Sequence, residues 1–253
     1  MSDTSQNETP PSVSIVIAAK NEAGNITPLL SEISDALGKS LAFEVVIVND
    51  GSTDNTEVEL TLLMAGRPWL RHVKHRASCG QSASIRTGAY YARAPIIATL
   101  DGDGQNDPAF IPALLKAFAA GAPRVGLVAG QRVARKATGF KKFQSRFANK
   151  VRGAILRDGT RDTGCGLKVF RRDLFLALPY FDGLHRFLPA LVRREGLDVA
   201  YADVVDRPRL YGTSNYGFFD RLWIGILDLF GVWWLIRRRR TVPDVQEVKR
   251  HAD

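Results

Sequence analysis

Residues 97–105 read Ile97-Ala98-Thr99-Leu100-Asp101-Gly102-Asp103-Gly104-Gln105. An apolar run stops at two carboxylates one residue apart, with an amide two positions further on. A strand ending there places these oxygens at the lip of a sheet. Oxygen ligands grouped in this way suit Mg²⁺ or Mn²⁺, with a phosphorylated ligand filling the other positions. The same residues also fit an acidic strand-end turn, because Asp-Gly is common in turns. The flanking sequence has to decide between the two.

Outward from the motif the chain alternates between two periods. Val13–Ala18 is a short β-rich run, and Asn25–Leu37 carries apolar residues at helical spacing (Ile26, Leu29, Leu30, Ile33, Leu37) behind Asn25, a candidate N-cap. Phe43–Val48 has the composition of a buried strand and is stopped by Asn49-Asp50-Gly51-Ser52. The pattern then predicts a helix over 53–66, a strand over Leu70–Lys74, a helix over Ser82–Ala94 and a strand over Pro95–Leu100. A helix over Pro108–Ala120 and a strand over Val125–Ala129 follow. Strands alternating with helices predict an α/β fold, a mostly parallel sheet with helices on both faces. Ligands of such sheets bind outside the carboxyl ends of the strands. Asp50 and the Asp101/Asp103 pair both fall at such ends, and two acidic strand ends are harder to dismiss as turns than one.

The 253 residues suffice for one large domain, or one domain with an appendage, and 45 % of them are apolar. A net charge of +9 points to an anionic partner: nucleic acid, phosphate or a membrane surface. The excess is local, since residues 132–157 contain basic side chains from Arg132 to Arg157 and no acidic one. A second cluster runs from Arg237 to Arg240. Two cysteines, Cys79 and Cys165, suggest neither a disulfide framework nor a zinc site. Asp3, Glu8 and the lack of an apolar run before Val13 argue against a signal peptide and for the cytoplasm. Residues 1–11 read as a disordered tail.

Residues 218–236 are strongly apolar but include Asp220, Arg221 and Asp228, which share a sector of about 100° on a helix. Trp223, Trp233 and Trp234 lie on the apolar remainder, and Arg237–Arg240 follow directly. This suits an amphipathic helix in the membrane interface with its arginines on anionic lipid. A core helix packed on the sheet is the alternative. A true span, which needs about 20 apolar residues, fits less well.

At this point the sequence resembles a known family. Ser14-Ile-Val-Ile-Ala-Ala-Lys-Asn21-Glu22, Val45-Val-Ile-Val-Asn-Asp50-Gly-Ser-Thr-Asp54 and Leu100-Asp101-Gly-Asp103-Gly-Gln105 resemble family 2 glycosyltransferases of the GT-A fold. Gly130-Gln-Arg132, Gln144-Ser145-Arg146, Asp162-Thr-Gly-Cys-Gly166-Leu-Lys168 and Arg207-Pro-Arg209 through Tyr216 resemble the polyprenyl-phosphate branch, which includes dolichol-phosphate mannose synthases. The resemblance covers roughly residues 12–236. It implies a catalytic domain over 12–210, a membrane-interface segment over 211–240 and a polar tail over 241–253.

The resemblance implies an inverting transfer of sugar from a UDP- or GDP-sugar, with UDP favoured, to undecaprenyl or dolichyl phosphate. Asp101, Asp103 and Gln105 match the family's metal pattern for Mg²⁺ or Mn²⁺. Asp50 matches its nucleoside contact, and Ala19, Asn21, Glu22, Ser52, Asp101 and Arg209 fall among its nucleotide-sugar contacts. Arg132, Ser145 and Arg146 match the contacts to the acceptor phosphate. Asp103, Asp162 and Arg132 form the implied catalytic set, with Asp162 acting as base, as orienter of an arginine or as loop structure. Arg207 and Arg209 reach a phosphate or lie solvated on an edge strand.

Two departures stand out: Asn215 where many relatives have Lys, and Gly80-Gln81 where many have Gly-Lys. The implied place is peripheral, on the cytoplasmic face of the membrane, with no nucleic-acid partner. Flipping and later transfer of the product fall to other membrane proteins. Two rival readings are a saccharide or other hydroxyl acceptor, which needs a base, and a non-enzymatic basic domain binding nucleic acid or lipid.

Overall fold

A computed structural model of the chain describes residues 10–38, 40–133, 152–208 and 218–238, with the backbone alone over 218–224. Seven strands form one sheet: β1 (Val13–Ala19), β2 (Phe43–Asp50), β3 (Leu70–His75), β4 (Ile96–Asp101), β5 (Val125–Arg132), β6 (Lys168–Arg171) and β7 (Asp198–Val204). Their order is β3-β2-β1-β4-β6-β5-β7. The neighbours are parallel except at β6, which runs antiparallel to both β4 and β5. Helices α1 (Ile26–Leu37), α2 (Thr56–Met64), α3 (Gln81–Tyr91) and α4 (Ile111–Ala120) cross between the early strands. Later come α5 (Arg172–Ala177), α6 (Leu184–Arg194) and α7 (Phe218–Arg237).

The central strands are apolar without interruption because both their faces are covered. Along β1, Ile15 and Ile17 face a core shared with α1 and α4, while Val16 faces the opposite core with α3, α5 and α6. This is the two-residue alternation of a pleated strand. Each such fully buried side chain contributes about 1.5–3 kcal/mol. The packing fixes where β1, β2, β4 and β5 end, and therefore where the acidic motifs emerge.

The structure corrects several sequence expectations in detail. The helix expected to reach Ala94 ends at Tyr91, since Ala92 is already extended ahead of Pro95. The helix expected over Pro108–Ala120 splits into a 3₁₀ turn, Pro108–Phe110, capped by Asp107, and α4. Asn25 is not a side-chain cap: its backbone is helical, and its amide donates to Glu22 Oε2 at 2.7 Å. Strands β6 and β7 were not anticipated. β6 is four residues long with a basic residue at each end, too short to show a period.

Helix α7 packs on α6. Val232 is buried, and Leu229, Trp233, Leu235 and Ile236 lie half-buried against the α5/α6 core. Asp228 also faces inward, its Oδ2 2.8 Å from where a Cβ on Gly183 would stand. Leu227, Phe230 and Trp234 are 69 %, 62 % and 55 % exposed, and they form one stripe at helical spacing. Arg237 and Arg238 stack over Trp233 and Trp234. Among the described residues no helix is long and apolar enough to cross a membrane. Most of the expected N-terminal tail and all of the tail over 241–253 lie outside the described residues.

Candidate active site

The first centre lies where β4 ends. Asp101 is half-buried, and its Oδ1 accepts from Gln81 Nε2 at 2.6 Å. Its backbone N–H donates to Asn106 Oδ1 at 3.3 Å. Gly166 packs so closely that any Cβ there would collide with the Asp101 carboxylate, which is why this position needs glycine. Burial first, then the charge of Asp103, pushes the Asp101 carboxyl up to about 6, against the pull of Lys168 and Arg132. Lys168 is itself buried, donates to the Cys165 carbonyl, and is pushed down by its burial.

The loop after Asp101 is stapled from both sides. Asp103 Oδ1 accepts from the Gln105 N–H at 3.1 Å. The Gln105 carbonyl accepts from the Arg207 N–H at 2.9 Å. The Arg207 guanidinium grips Glu32 of α1 at 2.9 and 2.7 Å and touches the Gly104 carbonyl at 3.3 Å. Two carboxylates one residue apart, the first raised by the charge of the second, with an amide two residues on, are a donor set that a hard divalent cation relieves. Asp101, Asp103 and Gln105 fit Mg²⁺ or Mn²⁺ on that ground.

The second group lies at the ends of β1 and β2. Asp50 accepts from His75 Nδ1 (2.7 Å), Ser78 Oγ (2.7 Å), the Cys79 N–H (2.8 Å) and the Gly80 N–H (2.9 Å). Burial alone would raise this carboxyl, but these four donors outweigh it and hold the group below the usual carboxylate range. Asp50 therefore anchors the 78–80 loop that leads into α3. Gly51, at φ +65°, turns the chain under that loop, where a Cβ would stand 2.8 Å from the Ser78 nitrogen. Asp50, His75 and Cys79 present ligand atoms within 4.8 Å of one another. With two donors already on each Asp50 oxygen, the trio reads as a loop anchor.

Asn21 and Ser52 join the two strand ends. The Asn21 N–H donates to Ser52 Oγ at 2.9 Å, and the Thr53 N–H donates to Asn21 Oδ1 at 2.8 Å. The Glu22 N–H donates to Thr56 Oγ1 at 2.9 Å. Ala19, at the end of β1, lies beside Gly102, so the motif loop and this rim are contiguous.

The third centre lies where β5 ends. Arg132 donates from Nε and Nη2 to Asp162 at 2.5 and 2.8 Å, and from Nη1 to Asp206 at 3.0 Å. Asp206 also accepts from the Asn106 amide at 3.3 Å, which ties this centre to the loop after β4. Burial would raise Asp162, but the hydrogen bonds and charge of Arg132, with the Gly164 N–H, hold its carboxyl below the usual range. Asp162 is an anion committed to an arginine.

Sequence reasoning missed Asp206, which flanks the Arg207 motif, and assigned no role to Lys168, the last residue of the Asp162 motif. Gln81 entered only as a departure, and it proves to be the hydrogen-bond donor to Asp101. Arg152 belongs to the one-sided basic stretch but is not solvated: it pairs with fully buried Asp158 at 2.5 Å and lies over the Phe187 ring. Ser145, Arg146 and Arg209 lie outside the described residues.

The sequence pattern of glycosyl transferase family 2 matches residues 14–178. Dodecaprenyl-phosphate galacturonate synthase of Rhizobium johnstonii is 33 % identical over 231 residues, covering 89 % of this chain and 67 % of that protein. Undecaprenyl-phosphate 4-deoxy-4-formamido-L-arabinose transferase of Shewanella sediminis is 31 % identical over 213 residues, covering 82 % of this chain and 62 % of that protein. The chain thus spans about two thirds of the length of these relatives. Among solved structures, glucosyl-3-phosphoglycerate synthase from Mycobacterium tuberculosis, in complex with Mn²⁺, UDP and phosphoglyceric acid, superposes with a TM-score of 0.67 at 19 % identity. That match covers 92 % of this chain and 80 % of the other, and it establishes the shared fold.

Proposed function

The chain belongs to glycosyl transferase family 2, and from that premise we propose that it transfers a sugar from a nucleotide-diphosphate sugar to a polyprenyl phosphate, with inversion. The observation that carries this reading is the meeting of two charge centres at one edge of one sheet. Asp101 and Asp103 are short of positive charge, while Arg132 is a cation held in place by Asp162 and Asp206. Both relatives named above have polyprenyl phosphates in their names, which favours the same acceptor class here.

Asp101, Asp103 and Gln105 would hold Mg²⁺ or Mn²⁺, which when bound supplies positive charge to the departing diphosphate. The rim of Ala19, Asn21, Glu22, Asp50 and Ser52 receives the nucleoside of a UDP- or GDP-sugar. Asp50 contributes mainly by fixing the 78–80 loop. A polyprenyl phosphate is already an anion at neutral pH and attacks directly, so no strong base is needed. That agrees with an Asp162 committed to Arg132. Asp162 orients Arg132, and Arg132 with Ser145 and Arg146 receives the acceptor phosphate, for which a guanidinium fork is suited.

The exposed stripe of Leu227, Phe230 and Trp234, with Arg237 and Arg238 beside it, seats the protein on an anionic membrane surface. The test is a panel of nucleotide-diphosphate sugars incubated with undecaprenyl or dolichyl phosphate and Mg²⁺ or Mn²⁺, scored for glycolipid. One or a few donors should yield glycolipid. Transfer to a soluble sugar with no glycolipid from any donor would overturn the reading.

A further inference from the structure

One half-buried imidazole has no part in the roles above. His185 sits in the first turn of α6. Its Nδ1 is 2.8 Å from Ser82 Oγ in the first turn of α3, and its backbone N–H points at the same oxygen from 3.5 Å. Ser82 follows Gln81, whose amide holds Asp101. The charge of Lys168 acts on Asp101 and His185 alike. The ring therefore lies between the N-termini of α3 and α6, beside the carboxylate motif.

Its hydrogen bonds assign its tautomer. Ser82 is buried, and among the described residues Nδ1 is the sole acceptor within reach of its hydroxyl, so the hydroxyl proton is directed to Nδ1 and the ring proton resides on Nε2. Burial, with Lys168 and Arg186, pushes the imidazole down to about 3, so the ring is neutral near pH 7. Among the described residues Nε2 has no hydrogen-bond partner. The ring is half-buried, so this uncommitted Nε2–H is open to a ligand or to water.

We propose that His185 is a specificity-determining contact of the donor sugar, its Nε2–H donating to a hydroxyl-type oxygen of the pyranose. This rests on the transferase reading above. A neutral donor matches an uncharged hydroxyl. An anionic diphosphate would instead draw a proton onto the ring, which the two neighbouring cations oppose.

The test compares binding of a nucleoside diphosphate with binding of the corresponding nucleotide-diphosphate sugar, both with Mn²⁺, alongside transfer rates. His185→Ala should keep the diphosphate affinity within about twofold and lose about tenfold or more in affinity and kcat/KM for the sugar nucleotide. His185→Gln, whose amide nitrogen reaches the place of Nε2, should recover most of that loss. The shorter His185→Asn should not, and this pair carries the test if the alanine variant folds poorly. A donor lacking the contacted hydroxyl should erase the difference between wild type and His185→Ala. Equal losses for diphosphate and sugar nucleotide would put the ring on the diphosphate and overturn the proposal, as would no loss in either. A wild-type protein that binds no nucleoside diphosphate would remove the transferase reading itself, a distinct outcome.

Discussion

At the end of β4 a half-buried carboxylate has one neutral hydrogen-bond donor, the Gln81 amide, whereas at the end of β5 a half-buried cation lies between two carboxylates. The first arrangement leaves Asp101 raised to about 6, and the second leaves Asp162 lowered. The difference shows which half of the site is complete by itself. The β5 half neutralises its own charges. The β4 half gains from any added positive charge, and that is where dependence on metal and pH should reside.

The largest expected effect breaks the β4 half. Asp103→Ala should reduce sugar transfer by roughly 10³-fold or more, because it removes a ligand of the charge that offsets the leaving diphosphate. Urea unfolding without metal should change by only about 1 kcal/mol, since Asp103 repels Asp101 as much as it supports the loop. Transfer at near wild-type rates would dissolve the contrast, leaving the motif as an acidic turn.

The next effect breaks the β5 half and should look different. Arg132→Ala leaves Asp162 and Asp206 facing each other unpaired, so it should cost about 3–5 kcal/mol of stability as well as roughly 10²-fold in transfer. Asp162→Asn keeps a hydrogen-bond partner for Arg132 and should cost transfer only about tenfold, with the pH profile unmoved. If Asp162→Asn abolished turnover while Arg132→Ala were mild, Asp162 would be a base and the acceptor a hydroxyl.

The contrast was only half legible in the sequence. The β4 half could be read because a long buried strand announces its own end, and Asp101-Gly-Asp103-Gly-Gln105 stands at that end. Asp50 was placed by the same logic. The β5 half is assembled across the sheet, with Arg132, Asp162 and Asp206 separated by 30 and 74 positions. Asp206 arrives just after β7, which pairs with β5, and the segment carrying Asp162 leads into β6, which is too short to carry a period. Charge counting went astray in the same region, for Arg152 looks solvated in sequence and is buried on Asp158. A residue's charge is local in sequence, but its partner is not. His185 was invisible for a related reason: a histidine in an apolar helix becomes informative only once Ser82 is seen to fix its tautomer.

A smaller effect measures the charge deficit of the β4 half directly. The Asp101 carboxyl stands at about 6 in the folded protein against 3.8 unfolded. Between these values the native state binds more protons than the unfolded state, so the metal-free protein should lose stability as pH rises through that window. Asp101→Asn should remove this slope, making the metal-free variant more stable than wild type by about 3 kcal/mol well above pH 6 and equal to it below pH 4. Mn²⁺ should then stabilise wild type and leave the variant unchanged. Identical pH profiles for the two proteins would show that Asp101 carries no such burden.

The smallest effect should make the β4 half resemble the β5 half. Gln81 Nε2 lies 2.6 Å from Asp101 Oδ1, so Gln81→Lys brings an ammonium group to the carboxylate that now has an amide. The added cation should lower the Asp101 carboxyl and stabilise the metal-free protein by about 1 kcal/mol, or about 2–4 °C in Tm. Repulsion between that ammonium and a divalent ion should at the same time weaken apparent metal affinity by about five- to tenfold, read as the Mn²⁺ concentration for half-maximal transfer. The two changes must have opposite signs, because one positive charge substitutes for part of the other. A lysine that raised both Tm and metal affinity would mean that the ammonium points away from Asp101 and meets the diphosphate instead, so position 81 would belong to substrate binding rather than to the charge balance of the motif.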